Sequence, residues 1–222
     1  MRLLIALLSL ILVCGLHAED AKAEEPAARA IVLAAGASRR LGRPKLLLPF
    51  GESTRVGSVV AALRDGGAEE IVLVLAPGDE DLRAWAEGAG VTVAVNPDPD
   101  RGMLSSIQEG VAALGGTDVL LLVTPADLPN LRAGTVALLL HRMKETGAPL
   151  GLPVHQGKRG HPLAIAPALI PEIGTLDLNV GLKQLRDRHE AELLEVEVGD
   201  AGVVEDVDTP EDYARSRRMR PI

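Results

Sequence analysis

The chain has 222 residues, of which 47% are apolar and 24% charged, with a formal net charge of −8. That balance excludes a disordered, collagen-like or multi-span membrane protein and fits one large domain, or a domain with a small appendage. A single cysteine, Cys14, excludes an internal disulfide framework and a CxxC metal site.

Met1-Arg2 precedes an almost uninterrupted apolar run, Leu3–Leu16, too short to cross a bilayer core of roughly 30 Å. The basic start, the short apolar centre and Leu16-His17-Ala18 before Glu19 have the form of a secretory signal. Residues 19–29 are polar and alanine-rich, as a linker is. A start codon assigned too far upstream, with the protein beginning near Ala28, is the alternative. The expected division is therefore a leader and linker over 1–25 and one folded domain over 26–222.

Ile31–Leu33, Ile71–Leu75, Val91–Val95 and Val119–Val123 are short apolar runs without polar alternation, which predicts strands buried on both faces. Val56, Val59, Val60 and Leu63 have the i, i+3, i+4, i+7 spacing of one helix face. Leu104, Ile107, Val111 and Leu114 repeat that stripe, and Leu131–Met143 predicts a third helix. Gly151–Val154 and Pro162–Ile165 are expected as strands around the loop 155–160, followed by a helix near Val180–Arg188 and a strand at Leu193–Val198. A last helix is expected after Asp208, capped by Thr209 with Pro210 at its first position. Strand and helix in alternation predict an α/β fold, with three layers, α/β/α, about a mostly parallel central sheet.

Ligands of such sheets bind beyond the carboxyl ends of the strands. The segment after the first strand, Leu33 to Lys45, offers small residues for close backbone approach and Arg39, Arg40, Arg43 and Lys45 as cations. That combination suits a polyphosphate, although it is neither a Walker A motif nor GxGxxG. A small-residue turn with solvated arginines is the plainer explanation of the same residues. Phe50, Trp85 and Tyr213 are the whole aromatic content, so a stacking platform for single-stranded nucleic acid is not expected. The acidic balance also argues against nucleic acid as a partner.

Residues 30–50, AIVLAAGASRRLGRPKLLLPF, resemble the opening signature of the MobA-like NTP transferases, in particular the molybdenum cofactor cytidylyltransferase (MocA-like) branch. Asn96-Pro97 with Gly102-Met103-Leu104-Ser105-Ser106-Ile107 resembles that family's second nucleotide loop. Asp127-Leu128-Pro129 resembles its Asp-x-Pro metal motif, Gly160-His161-Pro162 its Gly-His-Pro turn, and residues 206–212 its Asp-x-Asp-Thr-Pro-Glu-Asp. The resemblance runs from about Ala30 to Arg217 and implies the Rossmann-like nucleotidyltransferase fold.

It also implies a Mg²⁺-dependent transfer of CMP from CTP to a molybdopterin-type cofactor, with release of pyrophosphate. Arg39, Lys45 and Asp127 are the implied catalytic residues. Leu33, Ala34, Ala35, Gly36, Ser38, Arg39, Lys45, Asn96, Gly102, Ser105, Ser106 and His161 are the implied binding residues, and Asp127 and Asp208 the implied Mg²⁺ ligands. Two aspartates suffice for an ion that prefers carboxylate oxygen and keeps several waters. Each residue has a plainer use: Asp-x-Pro is a common turn, Ser105 or Ser106 can cap a helix, and His161 can simply precede Pro162.

Two departures bear on the acceptor. Pro125-Ala126 stand where the family commonly has Gly-Asp, and Leu176–Lys183 where it often has Gly-Asp-x-Gly-Ala-Arg. Guanylyl transfer, a sugar 1-phosphate acceptor and a non-catalytic binding protein therefore remain as alternatives. An enzyme or chaperone that receives the finished cofactor is an expected partner. CTP points to action in the cytoplasm, and the leader leaves a tethered or exported form open.

Overall fold

A computed structural model of the protein describes residues 28–36 and 45–206; the leader and the helix expected after Asp208 lie outside them. The elements in chain order are β1 (Ala28–Leu33), β2 (Pro49–Phe50), β3 (Ser53–Thr54), α1 (Arg55–Asp65), β4 (Ala68–Leu75), α2 (Glu80–Gly88) and β5 (Thr92–Val95). There follow α3 (Met103–Ala113), β6 (Leu120–Pro125), α4 (Ala133–Thr146), β7 (Leu150–His155), β8 (Lys158–Arg159), β9 (Leu163–Ile165), α5 (Lys183–Arg188) and β10 (Leu193–Glu197). Short 3₁₀ turns fill several connections, among them Lys45–Leu47, Pro167–Thr175 and Ala201–Val203.

The large sheet has the order β10-β7-β9-β6-β1-β4-β5, with β8 hairpinned onto β7. β1 pairs parallel with both β4 and β6, β4 with β5, and β7 with β10. β9 runs antiparallel between β6 and β7. The chain thus winds from β1 towards β5, then returns to β1's other side as β6. That reversal of winding direction opens a crevice at the carboxyl ends of β1 and β6, the usual ligand position in open α/β sheets.

The two-sided burial predicted for the strands is present. Ala30, Val32, Leu73 and Leu122 face one core with Val56, Val59, Leu63, Val136, Leu139 and Met143 of α1 and α4. Ile31, Val72, Leu121 and Val123 face the other with Leu104, Ile107, Ile170 and Leu185. Helix α3 comes down closely onto β1 because Gly110 has no side chain: a Cβ there would lie 2.7 Å from Ile31 Cγ2. Helix α1 starts where Thr54 Oγ1 accepts the Gly57 N–H (3.0 Å). Helix α2 carries Trp85 and buries Leu82 and Ala86, while the β2–β3 hairpin was not anticipated. Helix α5 is shorter than expected because residues 177–181 are spent on a turn, with the Val180 and Gly181 N–H groups donating to the Asp177 carbonyl.

Candidate active site

The site is built at the carboxyl edge of the sheet. Leu33, the last residue of β1, lies in register with Val74 on one side and Pro125 on the other. Beyond it, the Ala34 N–H donates to the Val74 carbonyl (2.9 Å) and the Ala126 N–H to the Leu33 carbonyl (3.1 Å). The turn Ala34–Gly36 and the turn that carries Asp127 are therefore tied together at their roots. Ala34 and Ala35 are buried, Gly36 is exposed, and Asp127 is half-buried. Ser38 and Arg39, with Arg40 and Arg43, lie outside the described residues. Lys45 re-enters at the head of a 3₁₀ turn whose next residue, Leu46, is anchored in the core.

The second loop, residues 96–106, is closed on itself. Asn96 is buried at the end of β5, its N–H donating to the Leu75 carbonyl (2.9 Å). Its Nδ2 donates to Ser105 Oγ (2.8 Å) and Ser106 Oγ (2.9 Å), and its Oδ1 accepts the Asp98 N–H (3.0 Å). The Ser105 hydroxyl in turn donates to the Gly102 carbonyl (2.7 Å). These three side chains hold the loop's shape, and Gly102 lies on its exposed surface with Arg101 and Met103 beside it. Gly102 has φ +95°, a conformation that L side chains rarely adopt, and its Cα faces the Leu178 carbonyl.

A third group lies across β6. The antiparallel register pairs Val123 with Leu163, and His161 precedes that pair by two residues, beside the end of β6. The His161–Pro162 peptide is cis, and the His161 N–H donates to the Val203 carbonyl (2.8 Å). Burial of the ring pushes the imidazole below its ordinary value; the Val123 carbonyl partly offsets this, and the positive charge of Arg186 adds to it.

Residues 200–203 wedge between the Asp127 turn and the Gly160-His161 turn. A Cβ at Gly202 would collide with the Asn130 carbonyl, and one at Gly160 would lie 2.5 Å from the Val203 carbonyl oxygen. The wedge is pinned by the buried Asp200. Its Oδ2 accepts the Arg132 N–H (3.1 Å) and the Thr135 hydroxyl (2.8 Å), and its Oδ1 accepts the Gly202 N–H (3.0 Å). Asp200 thus caps α4 from a distance of 68 residues in sequence. The segment runs on to the exposed Asp206; Asp208 lies outside the described residues.

Sequence reasoning passed over Asn130, Arg186 and Asp200. Gly199-Asp200-Ala201-Gly202 carries a turn signal, yet its partner at Thr135 is invisible locally. Arg186 reads as one more basic residue on an amphipathic helix. Among the described residues no group of three or more His, Cys, Asp or Glu side chains forms a metal cluster, and no helix is long and apolar enough to cross a membrane.

A sheet with this winding, two turns rooted together at its carboxyl edge and a carboxylate on one of them are features of nucleotide-handling α/β enzymes. The chain belongs to the MobA-like NTP transferase domain family, matched over residues 30–193, and it is a nucleotidyltransferase. Nicotine blue oxidoreductase from Paenarthrobacter nicotinovorans is 33% identical, over 86% of this chain and 96% of that protein. Molybdenum cofactor cytidylyltransferase from Escherichia coli K12 is 28% identical, over 84% and 94%. Among solved structures, Rv0371c from Mycobacterium tuberculosis H37Rv superposes with a TM-score of 0.72 at 27% identity, over 87% of this chain and 98% of that one. The same mycobacterial protein has also been solved in complex with manganese.

Proposed function

We propose that the protein transfers CMP from CTP to a molybdopterin-type molybdenum cofactor. An acceptor phosphate oxygen bonds to the α-phosphorus as the bond to the departing pyrophosphate breaks. The observation that carries this reading is the joining of the Ala34–Gly36 turn to the Asp127 turn through the Ala126–Leu33 hydrogen bond (3.1 Å). It sets a small-residue backbone and a carboxylate side by side, as a triphosphate with its counter-ion requires.

Leu33 to Gly36, Ser38 and the backbone about Gly102 contact the nucleotide. Asn96, Ser105 and Ser106 position that second loop. Lys45 and Arg39 neutralise the triphosphate and the leaving pyrophosphate. Asp127, with Asp208, fits a hard divalent cation through carboxylate oxygen, and Mg²⁺ bound there supplies charge neutralisation between the two phosphorylated reactants. The nearness in sequence of the cytidylyltransferase from Escherichia coli, and the manganese complex of the mycobacterial neighbour, support the choice of reaction and of a divalent metal.

The test is pyrophosphate release by the full chain with CTP, GTP, UTP, TTP or ATP and a panel of phosphorylated acceptors. Release with CTP and molybdopterin, lowered about 100-fold or more in Asp127→Asn with an unchanged Tm, is the expected result. Retained activity in that variant would overturn the metal assignment. The relative named an oxidoreductase makes redox chemistry the competing reading. Oxidation of a reduced nicotinamide cofactor without pyrophosphate release would favour it.

A further inference from the structure

A cavity of about 520 Å³ opens beside α1, between the β2–β3 hairpin and the loop that leads into α4. Phe50, Glu52, Ser58, Ala61, Asp65 and Leu131 are on its walls. Voids left by packing seldom exceed a water molecule, so a space of this size is a seat for another group. Ser58, Ala61, Ala62 and Asp65 have the i, i+3, i+4, i+7 spacing of one helix face, and the first three are small enough to let a second helix come close. Ser58 is only 6% exposed and makes no hydrogen bond among the described residues. Glu52 and Asp65 are exposed and carry no ion pair among the described residues. An aromatic wall, a small-residue floor and two carboxylates call for an occupant that is part apolar and positively charged.

The chain brings such an occupant to this place. Gly202 touches the Leu131 backbone, since a Cβ there would lie 2.8 Å from the Leu131 nitrogen. Val203 is buried in the same core cluster as Leu131. The last described residue, Asp206, follows Gly202 by four residues and so lies within about 14 Å of that contact. In the sequence beyond it, Pro210, Tyr213, Ala214 and Arg217 share one face of the helix expected after Asp208. From Tyr213 onward the sequence carries Arg215, Arg217, Arg218 and Arg220 and no acidic side chain.

We infer that residues 209–218 dock in this cavity against α1, with Tyr213 on Phe50 and the arginines facing Glu52 and Asp65. Aromatic contact and opposite charge then act at the two sides of one groove. The docking has a consequence that rests on the transferase reading. Leu131 follows Asp127 by four residues, and Asp208 directly precedes the docked segment. A helix seated beside Leu131 therefore carries Asp208 towards Asp127, and the groove is a positioning surface for the second carboxylate.

Phe50 and Tyr213 are the sole phenylalanine and the sole tyrosine of the chain, so labelling these two residue types gives NMR ring signals that need no further assignment. The expected result in the full chain, without metal or nucleotide, is a nuclear Overhauser cross-peak between the two rings. Ala61→Arg fills the groove from an exposed position, and Glu52→Lys with Asp65→Lys reverses its charge; both are expected to remove the cross-peak and leave the protein folded. Absence of the cross-peak from the wild type, or its persistence undiminished in both folded variants, would overturn the docking. So would a cross-peak between separately labelled chains in a mixture, which would seat the segment on a second copy. The apparent Mg²⁺ affinity with CTP, read from the Tm, is expected to fall roughly 10- to 100-fold in Ala61→Arg, the usual weight of groups that orient a metal ligand. Unchanged Mg²⁺ affinity in a variant that has lost the cross-peak would overturn the link to Asp208. If the cross-peak behaves as expected while no nucleotide raises the wild-type Tm, the docking stands and the transferase reading fails.

Discussion

Two polar clusters flank the same sheet edge and are built in opposite ways. Around Asn96, each side-chain polar atom is spent inside the loop: two serine hydroxyls and one backbone N–H answer one amide. At His161, one ring nitrogen meets the Val123 carbonyl and the other, Nδ1, is buried with no partner. A satisfied network contributes rigidity and defines one loop shape. An unsatisfied one carries a standing cost that a ligand can relieve, as sites built for function often do. The first cluster fixes one loop shape, and the second leaves a buried ring nitrogen unanswered.

The largest expected effect comes from breaking the closed cluster. Asn96→Ala removes the donor to both buried serine hydroxyls, leaving Ser105 its Gly102 bond, and strands the Asp98 N–H; it is expected to cost about 3 kcal/mol. Chemical denaturation of the variant measures it, and a loss under 1 kcal/mol would mean that the serines find other partners. Gly202→Ala attacks the support of the open cluster by forcing a methyl group against the Asn130 carbonyl. Overpacking of that kind costs about 2 kcal/mol. Chemical denaturation measures this as well, and an unchanged stability in Gly202→Ala would mean that the wedge gives way without cost.

Much of this contrast could be read from sequence for the closed cluster and little for the open one. Asn96, Gly102, Ser105 and Ser106 fall within a dozen residues between a strand and a helix, so one local pattern carries them. The buried strands were legible for a similar reason: both faces of β1 and β4 are apolar, which no exposed strand tolerates. The open cluster joins residues 130 and 161 through a wedge at 200–203, and no local window contains both. Asp200 shows the same limit, since the helix it caps, where Thr135 donates to it, lies 65 residues earlier in sequence. The central strands and most helices were legible because period is local; the β2–β3 hairpin was too short to leave one.

The open cluster should also respond to acid. The His161 imidazole titrates below its ordinary value of 6.5 because burial disfavours its charged form. The unfolded chain therefore binds a proton at a pH where the folded chain does not. Stability from this residue is complete above about 6.5 and falls as the pH drops through the window just below it. In His161→Gln the decline of Tm over that window is expected to flatten. An identical slope in wild type and variant would mean that the ring charges as freely as in water.

The smallest effect is expected at the opposite edge of the sheet, where Arg29 binds Glu70 (2.8 Å) and Asp118 (2.9 Å). The hydrogen bond from Arg29 holds the Asp118 carboxyl below its ordinary range, so its contribution is present at neutral pH and fades as acid protonates it. Asp118 is 83% exposed, however, and water with dissolved ions screens a pair of that kind. Asp118→Asn should leave the Tm unchanged within error at neutral pH, both at low ionic strength and at about 1 M salt, where the screening length is about 3 Å. A clear loss that salt abolishes would mean the three charges act as a network. Desolvation, not charge itself, distinguishes the buried His161 ring from this exposed group of charges.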